Sequence, residues 1–255
     1  MNKLYTSSNF LYSLRGSLII AEKDARIYYI KPPVLIFGIL FPLFFFLAFA
    51  LGRKVSPFIL VPGMVSMSLF FTSSSIGPMI TPWERNARTY ERLLTTPVSI
   101  FSLILGDALA GLIFGTVISL IPLFIGFILF STKIIHPFYL TGDILLSSLC
   151  FSSLGVLLSS PAAETPSNIM LLSGLVRFPL IFISGIFIPL ENLPYWGKLV
   201  AMVSPLTYTN DLIRYSLYGI RFYPAYLDII ALLAFFTVFF SFALKLHRRN
   251  LVKGI

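Results

Sequence analysis

The sequence predicts an all-α membrane protein of six transmembrane helices, and three observations carry that prediction. The 255 residues are 57% hydrophobic and only 11% charged, whereas soluble domains are about a quarter charged. Mean hydropathy is +0.90. The apolar residues gather into runs of about 20, the length that crosses a hydrocarbon core of roughly 30 Å as helix. Six spans of about 22 residues take up roughly 130 positions. The remainder goes to loops, an N-terminal arm and one long hairpin and leaves no room for a separate soluble domain, so residues 1–255 are read as a single transmembrane domain.

The N-terminal segment 1–33 is expected to lie on the membrane. Residues 1–31 carry five basic side chains and no continuous apolar core, which is not the pattern of a signal peptide. Leu11, Leu14, Leu18, Ala21, Ala25 and Tyr28 recur at helical steps, and Arg15, Glu22, Lys23 and Arg26 fall largely off that stripe. Such a helix sits in the interface. Pro32 and Pro33 end it.

The spans follow in order at 34–51, 58–80, 98–130, 138–160, 166–188 and 226–246. The first is rich in Phe (Phe37, Phe41, Phe44, Phe45, Phe46 and Phe49). Those rings either flank a translocation path or face lipid. Between spans five and six, residues 189–224 are too polar to cross and too apolar for an ordinary loop. Pro189, Pro194, Pro205 and Gly219 break that stretch into two short helices, 195–202 and 206–218, the second capped by Ser204. Broken backbone at membrane depth is tolerated only where protein or water satisfies it, so a re-entrant hairpin is expected. Trp196, Tyr208, Tyr215 and Tyr218 suit an interface, with apolar rings and polar tips.

Charge placement orients the chain. With the N-terminus inside, the inner side receives twelve of the Lys and Arg residues and the outer side six, so both termini are expected to be cytoplasmic. The net charge of +9 contains no long basic run, which argues against nucleic acid and for anionic lipid headgroups as counter-charge. Cys150 stands alone, and His136 and His247 are far apart without neighbouring ligands. No disulfide or metal site is expected.

Residues 81–96 form the most informative polar stretch. Thr81-Pro82-Trp83-Glu84 fits a capping box with proline at the first helical position, predicting a short helix over 82–94. Glu84 and Arg88 stand four apart, Arg85, Arg88 and Arg92 present positive charge, and Leu93 and Leu94 give an apolar end. The residues alone leave two readings open, a docking element and a solvated connector.

Glu84-Arg85, Thr89, Glu91-Arg92-Leu93-Leu94 and Thr96-Pro97-Val98-Ser99 resemble the cytoplasmic coupling segment of the type-2 ABC exporter permeases. That group includes drug, nodulation-factor and polysaccharide exporters. Ala87 and Arg88 stand where many members have glycine. A second resemblance lies about 90 residues on, in Pro179, Ser184-Gly185-Ile186-Phe187-Ile188-Pro189-Leu190-Glu191-Asn192-Leu193-Pro194 and Trp196. It continues in Ser204-Pro205-Leu206-Thr207-Tyr208, Arg214 and Gly219.

The resemblance implies a permease subunit in the cell membrane that works as a homodimer or with a paired permease. Separate ATP-binding cassette subunits would carry the ATP and Mg and dock on Glu84, Arg85, Arg88, Glu91, Arg92 and Leu93. It also implies an exterior gate built from Ser184, Gly185, Pro189, Pro194, Trp196, Pro205, Tyr208 and Arg214; an aromatic belt without gating is the simpler reading of the same rings. In agreement, no G-x-x-x-x-G-K-[ST] phosphate loop occurs, and no cofactor is expected on this chain. The expected cargo is amphipathic, drug-like or glycan/lipid-linked.

Asp107 and Arg177 are charges about ten and eleven residues into spans three and five, and a charge costs about 2.5–3.5 kcal/mol at a helix centre on insertion scales. Their depths are similar, so they are expected either to pair or to have Arg177 face the pathway; a proton relay is the least supported role. Gly111, Gly115 and Ser119 put small residues on one face of span three, for internal packing or a subunit seam. An ion-coupled secondary transporter is the rival function, but no internal repeat is found. An intramembrane hydrolase would need a nucleophile motif, and neither G-x-S-x-G nor H-E-x-x-H is present.

Overall fold

A computed structural model describes residues 8–28, 36, 40–44, 56–87, 89, 93, 98–161 and 166–252; these are mostly helical, and no strand occurs among them. The helices are α1 (Ser8–Tyr28), α2 (Pro57–Asn86), α3 (Ile100–Phe130), α4 (Pro137–Leu158), α5 (Pro166–Ile183), α6 (Tyr195–Ala201), α7 (Pro205–Tyr218) and α8 (Ala225–Val252). Among the described residues, α2, α3, α4 and α8 are long and apolar enough to cross a membrane, and α5 is a shorter apolar helix. The expected first span, 34–51, lies mostly outside the described residues.

Helix α2 is the axis of the bundle. Every residue from Leu60 to Pro82 is buried, with α3, α4, α5 and α7 packed around it. A helix enclosed on all sides must let neighbouring backbones approach, and small residues supply the room. At the α2–α4 crossing the two glycines face each other: a Cβ on Gly77 stands 2.5 Å from the Gly155 carbonyl carbon, and one on Gly155 stands 2.5 Å from the Ser74 carbonyl oxygen. On α3, side chains at Gly111 and Gly115 collide with the Ser152 and Ser73 hydroxyls. The small stripe of span three therefore serves packing within the chain. Buried serines along α2 return their hydroxyls to the preceding turn, as Ser66 does to the Pro62 carbonyl (2.8 Å) and Ser75 to the Phe71 carbonyl (2.6 Å).

Two helix boundaries depart from expectation. The capping box at Thr81 does not start a new helix: α2 runs unbroken through Pro78 and Pro82 to Asn86, six residues past the expected end of the span. Proline inside a spanning helix is tolerated where neighbours take over the freed backbone groups, as Arg177 does for the Ser74 carbonyl four residues before Pro78; Thr81 meanwhile shares a hydroxyl hydrogen bond with Ser159, at the end of α4, at 3.3 Å. Helix α5 is shorter than predicted, ending at Ile183 rather than 188. Gly185 breaks it with φ +79°, a left-handed conformation that favours glycine, and a Cβ there stands 2.8 Å from Leu190.

Helix α1 lies across the start of α3. Gly106 leaves the space that Ile20 fills, and Gly16 lies opposite Ser102. The face turned to the protein is Ser17, Ile20, Ala21 and Asp24, all buried, while Leu18 and Ile19 are exposed. The apolar stripe read from the sequence thus mixes two faces: Ala21 packs inward and Leu18 points away from the bundle.

The two ends of the bundle differ. At one end the last turns of α2, α4 and α8 gather beside α1 and the start of α3: Asn250 donates to the Ser160 carbonyl (2.6 Å), and His247 meets the Val156 carbonyl (3.2 Å). At the other end lie α6, α7 and the 131–136 loop, whose Ile135 and His136 N–H groups donate to the Ser216 carbonyl at 2.9 and 3.0 Å.

Candidate functional site

The end of α2 carries the first site. Glu84, in its final turn, is buried; its carboxylate accepts a hydrogen bond from the Lys23 ammonium of α1. Lys23 also lies 3.0 Å from Asp24 Oδ1, and the buried carboxyl of Asp107 on α3 is near enough to interact electrostatically with both Asp24 and Glu84. One ammonium fastens α1 to α2 through Glu84, with the carboxyls of Asp24 and Asp107 buried beside it. Burial alone lowers Lys23, but the charges of Asp24 and Glu84 outweigh it and hold the ammonium firmly protonated. Asp24 is pushed up to about 6, chiefly by burial, against the pull of Lys23. One position on, Arg85 donates to the Pro161 carbonyl at 3.1 Å, tying α2 to the turn after α4. Thr89 donates to the Glu84 carbonyl at 3.2 Å.

Of the six residues expected to form a coupling element, Glu84 and Arg85 belong to the last turn of α2, and Leu93 is helical and half-buried. Arg88, Glu91 and Arg92 lie outside the described residues. The sequence reading missed Lys23 and Asp24. A detectable signal was present, since Ser17, Ile20, Ala21 and Asp24 recur at three- and four-residue steps and mark a small, polar face suited to a protein partner.

The structure does not bring Asp107 and Arg177 together. Asp107 faces α1, while Arg177 of α5 reaches α2, donating from Nη1 to Ser75 Oγ and from Nη2 to the Ser74 carbonyl, both at 2.9 Å. The ion-pair expectation is corrected, and the reason is backbone chemistry. Pro78 has no N–H, so the carbonyl four residues earlier, Ser74, lacks its helical donor. Arg177 supplies one, and it lines a cavity of ≈ 480 Å³ between α2 and α5.

The hairpin end holds the second group of predicted residues. After Gly185, Pro189 leads into a 3-10 turn, Leu190–Asn192, Pro194 precedes α6, and Pro205 occupies the first turn of α7. The Ser184 hydroxyl donates to the Ile181 carbonyl at 2.7 Å. Arg214 grips Glu191 through both carboxylate oxygens, Nη2–Oε1 at 3.1 Å and Nη1–Oε2 at 3.4 Å. Partial burial raises the Glu191 carboxyl, but its own backbone N–H and the Arg214 guanidinium more than reverse that and leave it below the usual range. Asp211 accepts the N–H groups of Phe222 (2.8 Å) and Tyr223 (2.7 Å), fixing the turn into α8. Ser204 precedes α7 without capping it through its side chain; the hydroxyl donates instead to the Leu180 carbonyl of α5 at 2.9 Å. Tyr208 donates to the Met202 carbonyl at 3.1 Å. Trp196 is 70% exposed and points away from the bundle.

A bundle of long apolar helices around a buried serine-rich axis, with a charged junction at one end and a folded-back hairpin at the other, is the architecture of a polytopic membrane protein. Comparison with known proteins narrows this. Residues 18–218 match the ABC-2 type transporter family, and the chain belongs to that family of transport permeases. It is 29% identical over 196 residues to Nodulation protein J of Rhizobium meliloti (strain 1021), covering 74% of this chain and 72% of that protein. It is 26% identical over 195 residues to the Inner membrane transport permease YadH of Escherichia coli (strain K12), covering 75% and 74%. A 24% identity over 167 residues, 60% of this chain and 42% of the relative, links it to the Probable multidrug ABC transporter permease YbhR of the same strain.

Proposed function

We propose that this chain is the membrane subunit of an ATP-driven exporter, paired with a second permease copy or a related permease and powered by separate ATP-binding subunits that carry the ATP and Mg. The observation that carries the reading is the Lys23–Glu84 ion pair. It fastens α1 to the last turn of α2, the turn that opens the segment resembling a coupling element. Force applied to 82–94 by an ATPase reaches α1 through Lys23, α3 through the close packing of Ser17 and Ile20 on Gly106, and the turn after α4 through Arg85. A close-packed junction of this kind passes a small displacement on to the helices it joins, because packed interfaces do not deform continuously.

On this reading the α1 end and both termini are cytoplasmic, and the Glu191–Arg214 hairpin forms the outer gate. The cargo is amphipathic, drug-like or glycan/lipid-linked. The test is copurification of an ATPase subunit with the full chain, followed by ATP turnover with Glu84→Gln and Arg85→Ala variants. Loss of cargo-stimulated turnover with retained ATPase binding supports the coupling role; cargo movement by the chain alone assigns it to the ion-coupled transporters instead.

A further inference from the structure

The cavity between α2 and α5 is mostly apolar, with the hydroxyls of Ser75 and Ser167 and one charged group, Arg177, in its lining. Phe71, Met79, Met170, Leu175 and Phe178 supply carbon surface around Arg177, and the ≈ 480 Å³ volume falls within the range of roughly 300–1,000 Å³ found for small-molecule sites. Arg177 is 7% exposed, and its Nε has no hydrogen-bond partner. No described carboxylate forms an ion pair with it: the described ion pairs are those of Lys23, Arg26 and Arg214. The sequence between Asp24 and Glu84 contains no Asp or Glu, so the first span supplies none.

Closing the gap left by Pro78 explains part of this arrangement. A carbonyl needs only a neutral donor, and a hydroxyl or amide meets that need without bringing a charge into the membrane. A guanidinium held by two neutral acceptors, with a further N–H unused, retains its full charge for something else. We propose that this cavity binds an amphipathic anion, its phosphate or carboxylate on the Arg177 guanidinium and its apolar or aromatic body against Phe71, Met79, Leu175 and Phe178. Arginine suits this task because its planar fork matches two oxygens of an oxyanion. The inference rests on the permease reading above and names the chemical class of its cargo; an anionic lipid headgroup offers the same chemistry.

The test uses the full chain in phosphatidylcholine nanodiscs, with equilibrium binding of dodecyl phosphate and of dodecanol corrected for uptake by empty discs. The expected result is at least a roughly tenfold lower Kd for the phosphate, a discrimination of the size one charged hydrogen-bonded contact supplies. Arg177→Met should erase that preference while leaving dodecanol binding unchanged, and Arg177→Lys should keep part of it. Equal binding of the two probes to the wild-type chain overturns the proposal, and this comparison needs no variant to fold. A preference that survives in Arg177→Met also overturns it. Phosphatidylglycerol added to the discs separates the sources: displacement of dodecyl phosphate assigns the site to a lipid headgroup, and its absence assigns it to a transported amphiphile, the anion site standing in both. Failure of the binding preference leaves the ATPase-coupling measurements untouched, so the two readings fall separately.

Discussion

Arg177 Nη2 donates to the carbonyl of Ser74 at 2.9 Å, the carbonyl that Pro78 leaves without a helical donor. The relationship makes a thermodynamic prediction. In a Pro78→Ala background the residue-78 N–H can return to Ser74, and Arg177 is no longer needed for that bond. Arg177→Met should therefore cost less stability there than in the wild-type chain, with a coupling energy of about 1 kcal/mol. A double-mutant cycle on thermal unfolding in detergent reads it, and additive effects would show that the proline and the arginine act independently.

The α2–α4 crossing depends on hydrogen in place of a methyl group. Gly77→Ala or Gly155→Ala places a Cβ about 2.5 Å from rigid backbone, so the helices must separate, at a cost of about 1–3 kcal/mol or more. Gly142, also on α4, has nothing within 4 Å of its Cβ position, and Gly142→Ala is expected to be neutral or mildly stabilising. Melting temperatures of the three variants decide the matter; similar values for all three contradict the packing described.

Breaking the Glu191–Arg214 pair should be asymmetric. Arg214 is 10% exposed at the side chain and Glu191 41%, so removing Glu191 strands the more buried charge. Glu191→Ala is expected to destabilise by about 1–3 kcal/mol, more than Arg214→Met, whose leftover carboxylate water can solvate. Amide exchange at the 190–192 turn measures the difference, and equal exchange in the two variants refutes it.

The α1 junction should tighten in mild acid. Asp24 stands at about 6 against an ordinary 3.8, so between those values the folded protein holds a proton that the unfolded chain releases. Stability gained from this group is complete near pH 4 and is lost as pH rises through about 6, amounting to roughly 1–3 kcal/mol. The groups facing Asp24 are Lys23, Glu84 and Asp107. Asp24→Asn is expected to stabilise α1 docking at pH 7 and to flatten its dependence between pH 5 and 7. Amide protection over residues 17–24 supplies the readout, and an unchanged pH profile in the variant argues against the assignment.

Much of this architecture is legible in the residues. Apolar run length located α2, α3, α4 and α8 because a helix enclosed by lipid or protein must satisfy its own backbone. Proline and glycine spacing located the hairpin helices because those residues act on φ locally. Long-range matters escaped. Capping logic treats Thr81-Pro82 as a start, yet packing of α2 against α4 carries the helix through both prolines. Equal depth made Asp107 and Arg177 look like partners, but depth says nothing about azimuth around the bundle. Asp107 turns toward α1 and Arg177 toward the Pro78 gap. The Lys23–Glu84 contact joins positions 61 apart, and no local pattern announces it.

The most direct test of the coupling account is ATP turnover by the chain reconstituted with its ATPase subunit, with the Lys23–Glu84 pair broken and then reversed. Lys23→Glu and Glu84→Lys singly are expected to cut cargo-stimulated turnover about tenfold or more while the ATPase stays bound. The double swap, Lys23→Glu with Glu84→Lys, should recover a substantial part. Wild-type turnover in both single variants would contradict the account.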